Sequence, residues 1–315
     1  MEMTEKIKER FCKNYGFPIK IFREPIFTSR LKLYDSHFGT LEKWDQFVSE
    51  VSKFGSEKSY MDAYGDLKER VISDIKGTEG YREFNECDMN WFPVKKCNIS
   101  SGSLFNHSNI NSGFISFDLV KGCYTALKYF DSSIVGNSET YEEFISRYTD
   151  VQHFIESKYI RQVIFGNCNP RRQTTIEKHM MSFVLEEVLK VLRLEDIRIF
   201  TCDEVITYNK LEDTVISKIV SKMKQEHGFD VRVERFIVGY LPDVDGYLKI
   251  FPGTPHRREF KCVNSLFMPI LLRYWYGEGV REEDLMFLHD GLLSKLVEYP
   301  KRFSEGGIDR IDRMV

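Results

Sequence analysis

Asp203 and Glu204 stand side by side between two short apolar runs, Ile199-Phe200 and Val205-Ile206. Both runs favour β-structure, and Cys202-Asp203-Glu204 falls where a tight hairpin would turn. Adjacent carboxylates on a turn repel each other, and a divalent cation between them converts that repulsion into binding. Taken alone, the pair is also an ordinary acidic turn. A second acid, Asp118, closes the strand-like run Phe114 to Val120, just before Lys121-Gly122 and a short apolar helix from Cys123 to Phe130. A carboxylate there either lies at a sheet edge where ligands bind or caps the following turn.

A third cluster is basic. The turn Gly166-Asn167-Cys168-Asn169-Pro170 leads into a long helix, expected over about 172–194. Its first turns carry Arg171, Arg172, Gln173, Thr174, Thr175, Lys178 and His179. Arg171 and Lys178 lie two turns apart and share a face, as do Arg172 and His179. Such a helix start suits an anion, a triphosphate or a nucleic-acid backbone. The plainer alternative is a solvated helix start paired with Glu177.

The bulk composition sets the frame for these residues. The chain has 315 residues, enough for one large domain or two smaller ones, and its 42% apolar and 30% charged content is that of a globular protein. The net charge of −3 gives no global basic signature, so a nucleic-acid partner needs a local groove. No run of about 18 apolar residues marks a membrane span, and the charged Met1 to Arg10 does not read as a signal peptide. Seven scattered cysteines without a Cys-x-x-Cys pair point to reduced thiols in a cytoplasm and away from zinc.

The elements that must position the acids follow from periodicity. Thr4 to Tyr15 reads as a charged helix stopped by Gly16-Phe17-Pro18. Ile19 to Phe22 and Ile26 to Tyr34 read as short strands, with Arg23, Arg30 and Lys32, together with Lys95 and Lys96, forming a basic or simply solvated face. Leu41 to Phe54 is amphipathic and helical, and Tyr60 to Ile75 repeats the pattern. Glu79 to Ser103 reads as loops with short strands. Tyr141 to Arg147 is helical, Phe154 to Lys158 adds a turn, and Tyr159 to Phe165 looks like a strand. Beyond the acidic hairpin come a helix from Leu211 to His227, Gly228, and strands Val231 to Val238, Tyr247 to Phe251 and Arg258 to Val263. Two helices, Asn264 to Tyr276 and Glu282 to Tyr299, precede a tail, Phe303 to Val315, that reads as mobile.

The order strand–Asp118–helix, basic turn and helix, Asp203-Glu204 hairpin, then helix–Gly–strand resembles the palm domain of template-directed polymerases, above all reverse transcriptases and viral RNA-dependent RNA polymerases. Phe-Ile-Ser-Phe-Asp118 is similar to the family's first motif, a strand ending in a metal-binding Asp. Gly166 to Thr175 is similar to its second, and Phe-Thr-Cys-Asp203-Glu204-Val-Ile to its third. Lys222 through Val238 is similar to the fourth. The resemblance covers about 113–253. It departs where Cys-Asp-Glu replaces the usual Asp-Asp, and where the aromatic expected five residues past the first Asp is Cys123, with Tyr124 next.

The resemblance implies an α+β fold: a palm-like antiparallel sheet on helices (111–263), an N-terminal mixed lobe (1–110, fingers-like) and a helical thumb-like lobe with tail (264–315). It implies a viral or phage nucleotidyltransferase adding nucleotides to a nucleic-acid 3′ end, with nucleic acid and nucleoside triphosphates as partners, in the host cytoplasm or virion. Two Mg²⁺ (or Mn²⁺) ions would be held by Asp118 and Asp203, with Glu204 as an outer or partial ligand. Lys121, Arg171, Arg172 and Lys178 would bind phosphates. A rival is Pro242-Asp243 with Glu259-x-Lys261, which resembles the Pro-Asp…(Asp/Glu)-x-Lys nucleases, where Asp243 and Glu259 hold Mg²⁺ and Lys261 orients water. A non-enzymatic viral structural or assembly protein needs neither constellation.

Overall fold

A computed structural model describes residues 3–99, 103–253 and 257–299. Five helices come first: α1 (Glu5–Tyr15), α2 (Ile26–Phe38), α3 (Thr40–Lys53), α4 (Glu57–Gly77) and α5 (Glu79–Glu86). Strand β1 (Gly113–Leu119) runs into α6 (Gly122–Phe130). Helices α7 (Tyr141–Ser146), α8 (Gln152–Glu156), α9 (Lys158–Gly166) and α10 (Pro170–Val188) follow. The hairpin β2 (Ile197–Phe200) and β3 (Glu204–Tyr208) precedes α11 (Asp213–His227), β4 (Val231–Leu241), β5 (Gly246–Ile250) and β6 (Arg258–Lys261). Last come α12 (Met268–Trp275) and a hairpin of β7 (Met286–His289) and β8 (Leu292–Lys295).

The fold is α+β. Six strands form one antiparallel sheet in the order β2-β3-β1-β4-β5-β6. The period-two alternation of β1 explains its central place. Ile115, Phe117 and Leu119 join the main core under the sheet, where α10 packs against β1 and β3 and α11 against β4. Phe114 joins a second, smaller cluster on the opposite face with Leu104, Ile206, Phe236, Val238, Tyr247 and Phe251. Ser116 and Asp118 share that opposite face with Phe114, because side chains alternate along a strand. The main core is continuous from Met3 to Leu272, so the N-terminal helices and the sheet domain share one apolar interior.

Several elements differ from the sequence reading. Ile26 to Tyr34 belongs to a helix, not a strand: Phe27, Arg30, Leu31 and Tyr34, at helical spacing, are buried along with Leu33. Tyr159 to Phe165 is likewise helical; Ser157 caps it by accepting from Ile160 N, and Ile160, Ile164 and Phe165 are buried. Glu79–Glu86 is a helix capped by Thr78, and no strand is formed among the described residues of 79–103. The basic helix stops at Val188. Glu282 to Tyr299 is not a helix but a short 3₁₀ turn and the β7–β8 hairpin. Its loop is Asp290-Gly291, both at positive φ (48° and 78°), the backbone a two-residue hairpin demands. The tail, Phe303 to Val315, and residues 254–256 of the turn after β5 lie outside the described residues. All seven cysteines are free thiols. Among the described residues no helix is long and apolar enough to cross a membrane.

Arg30 is not part of a basic surface. Its guanidinium is buried and donates to Asp284 Oδ1 at 2.9 Å and to the carbonyl of Glu283. Arg273 Nε donates to the other oxygen of Asp284 at 2.9 Å, and the Asp284 side chain is fully enclosed. One carboxylate thus holds two buried cations and fastens α2 to α12 and the last hairpin. Removing it leaves both charges uncompensated, which costs about 3–5 kcal/mol. Asp284→Ala is expected to lower stability by about that amount in urea unfolding, whereas a loss under about 1 kcal/mol, as for a surface pair, would refute the clasp.

Candidate active site

The acids are brought together by strand order. β1 lies between β3 and β4, and Asp118 pairs across to Glu204 on one side and Arg232 on the other. The turn Thr201-Cys202-Asp203 closes the hairpin directly beside the end of β1, where Leu119 N donates to the carbonyl of Asp203 at 2.8 Å. Asp203 is exposed at the tip. Its Oδ1 accepts from Thr201 Oγ1 at 3.0 Å. Glu204 Oε1 accepts from Ser116 Oγ at 2.5 Å. The expected trio Asp118, Asp203 and Glu204 is therefore adjacent on neighbouring strands.

Counter-ions surround the trio. Arg232 Nη2 donates to Asp118 Oδ2 at 2.7 Å. One step along the same face, Glu234 is nearly buried and binds Lys249 Nζ at 3.0 Å and Arg257 Nη2 at 2.6 Å. Lys249 also lies 4.4 Å from the Phe236 ring centre and Arg257 3.9 Å from that of Phe251. The open face is thus a line of alternating charge floored by aromatic rings.

Burial raises the Asp118 pKa; Arg232 pulls it down, while Asp203 and Glu234 push it further up. The Glu204 carboxyl is raised by burial too, against the hydrogen bond from Ser116 and the charge of Lys249, with Asp118 and Asp203 adding to the rise. Glu234 is held below its ordinary value: despite burial, Arg257 and Lys249 stabilise its charged form. Asp118 and Glu204 therefore hold protons more readily than exposed carboxyls, which suits proton transfer.

Sequence reasoning missed Glu177. It is 5% exposed on the inner face of α10, and burial raises its pKa. The Cys123 and Cys202 thiols sit against its carboxylate and Asp203 lies near. Both thiols are pushed to about 12 by burial and the neighbouring acids, so they stay protonated. The approach is close at Gly122, where a Cβ would stand 3.0 Å from Glu177 Oε1 and would need that carboxylate to shift. The sequence placed Glu177 only as a partner for exposed cations, because its burial depends on α6 packing on α10. Arg232 and Glu234 were missed too; their alternation with Phe236 becomes informative only once β4 lies beside β1.

The basic residues are dispersed. Arg172 donates Nε to Phe84 O at 2.6 Å and Nη2 to Cys87 O, which ties α10 to the end of α5 rather than to the acids. Lys121, at φ 52°, is ion-paired with Glu142. Arg171 is exposed and makes no ion pair among the described residues. Lys178 lies 5.3 Å from the Phe200 ring centre, one residue before the acidic turn. In the rival constellation, Asp243 lies on a 3₁₀ turn between β4 and β5, its side chain outside the described residues. Glu259 and Lys261 lie on β6 and bind each other at 2.9 Å.

Among the described residues no group of three or more His, Cys, Asp or Glu side chains is gathered as a metal's ligand set. Arg232 holds Asp118, and Ser116 holds Glu204. The acids as they stand do not fit a two-metal cage.

The chain is similar to a putative KilA-N domain-containing protein, 315L, of Invertebrate iridescent virus 6, with 23% identity over 190 residues, 57% of this chain and 74% of that protein. No protein-family model matches the chain. No solved structure matches it.

Two outcomes follow from these contacts. Arg232→Gln removes the charge that lowers the Asp118 pKa, so the Asp118 titration followed by carboxyl NMR is expected to move to higher pH; no movement would remove Arg232 as its counter-ion. Glu177, raised above its ordinary 4.5, binds its proton more tightly folded than unfolded. Its contribution to stability is present at low pH and lost as pH rises through the folded pKa. Glu177→Gln is expected to flatten the fall in unfolding free energy as pH rises above the ordinary 4.5; an unchanged slope would contradict the assignment.

Proposed function

We propose that the chain is a palm-type nucleotidyltransferase, a polymerase that adds nucleotides to a nucleic-acid 3′ end, of viral origin and working in the host cytoplasm or virion. The observation that supports it is the sheet order, with β1 set between β3 and β4 so that Asp118 faces Glu204 and adjoins the Asp203 turn. The similarity to an iridescent-virus protein supports the viral part of the reading. Its partners are nucleic acid and nucleoside triphosphates.

In this reading Asp118, with its raised proton affinity, accepts the proton of the attacking 3′-hydroxyl. The oxygen forms a bond to the α-phosphorus, and the bond to pyrophosphate breaks. Lys178 and Arg171 offset the phosphate charge. The reading carries Mg²⁺ or Mn²⁺ as cofactor, which Asp118 and Asp203 would hold, with Glu204 as an outer or partial ligand, and which would offset the charge of the triphosphate. No specific contact favours the nuclease pattern over this reading.

Primer extension with mixed nucleotides and Mg²⁺ or Mn²⁺, on RNA and DNA templates, tests the proposal. Wild-type protein is expected to extend one of them, and Asp203→Asn to reduce incorporation to background. Incorporation that survives Asp203→Asn sinks the assignment.

A further inference from the structure

A cavity of about 730 Å³ opens between the segment 94–99, the Lys178 side of α10 and the edge strand β2. Its volume lies within the roughly 300–1,000 Å³ typical of small-molecule sites. Lys95, Lys96 and Lys178 line it, and none of its lining residues among those described is acidic. In a chain of net charge −3, that is a local reversal of sign. Lys96 and Lys178 make no ion pair among the described residues, and Lys95 reaches Glu186 only at 3.7 Å. Lys95 and Lys178 both act on the Cys97 thiol, so their charges converge on one wall. The backbone there is anchored, with Lys95 N donating to Ser182 Oγ at 3.0 Å.

The remaining wall is apolar. Ile199 and Phe200 contribute to it, and Thr201 closes the end nearest the acids. Because β2 is the outermost strand, its outer backbone groups have no strand partner. Thr201 Oγ1 donates to Asp203 Oδ1, so the cavity and the acidic turn share a residue. A fitting ligand is anionic at one end and planar or apolar at the other.

We infer that this cavity binds a phosphate-bearing nucleotide unit, with Lys95, Lys96 and Lys178 on the phosphates and Ile199 and Phe200 against the base or sugar. This deepens the nucleotidyl-transfer reading and rests on it for the choice of ligand. The same chemistry is presented by a free nucleoside triphosphate and by the end of a nucleic-acid strand. Charge-assisted contacts to phosphate are among the stronger hydrogen bonds, so losing two of them is measurable.

The test is binding of a fluorescent ATP analogue, and separately of a labelled single-stranded oligonucleotide, to the full chain in EDTA. Wild-type protein is expected to bind at least one probe, and the double variant Lys96→Ala/Lys178→Ala at least about tenfold more weakly. The more affected probe identifies the source of the phosphate. Lys190→Ala, in the exposed turn just past α10, serves as control, and thermal melting checks that each variant folds. Lys96→Glu alone, at an exposed position, repeats the test should the double variant fail to fold. Binding unchanged within about twofold, or no binding of either probe by wild type, overturns the proposal. If the lysine variants leave binding intact while wild type extends primers, the cavity assignment falls and the polymerase reading stands. If they abolish binding while wild type extends nothing, the cavity stands and the polymerase reading falls.

Discussion

Everything about the acidic site depends on β1 pairing with β3 and β4 at once. A strand with two antiparallel neighbours has its register fixed on both sides, and a slip of one residue would turn Ser116 and Asp118 into the helix-packed core. The apolar partners prevent that slip. Ile115, Phe117 and Leu119 are buried under the sheet, and Phe114 is locked into the smaller cluster above it. The packing of four hydrophobic side chains therefore decides where one carboxylate points. The loop bond from Leu119 N to Asp203 O then fixes the hairpin tip against the same strand end.

What the sequence disclosed follows the range of the forces involved. The hairpin, β1, α10, α11 and β4 were legible because their alternation or three-to-four spacing is local. Ile26 to Tyr34 and Tyr159 to Phe165 were misread because β-branched and aromatic residues favour strands in short windows, while burial on one helical face decided otherwise. The last hairpin was missed although Asp290-Gly291 signals it, since the apolar spacing of the surrounding residues also suits a helix. Asp118, Asp203 and Glu204 were legible as a group because the element order implied their strands would meet. Glu177, Arg232 and Glu234 were not, since each gains its meaning from a neighbour far away in the chain.

The charges on the open face are only partly paired. Asp118 is matched by Arg232, and Glu234 by Lys249 and Arg257. Asp203 at the tip, Glu204, which accepts from the Ser116 hydroxyl, and the buried Glu177 make no ion pair among the described residues. That distribution separates two regions of the molecule. Acids predominate at the middle of the sheet, whereas Lys95, Lys96 and Lys178 gather beyond its β2 edge. A polyanion approaching this surface is drawn first to the edge and meets the acids second.

The Arg30–Asp284–Arg273 clasp has a consequence for how the chain can be divided. It joins residues 254 positions apart, through a carboxylate sealed from water. A recombinant piece ending at residue 263 would retain Arg30 in the interior of α2's packing and discard the buried carboxylate that pairs with it. Limited proteolysis that nicks the segment between β6 and α12 should thus leave two polypeptides that travel together, because the clasp and the apolar core that α12 shares with the N-terminal helices, not chain connectivity, hold them in one body.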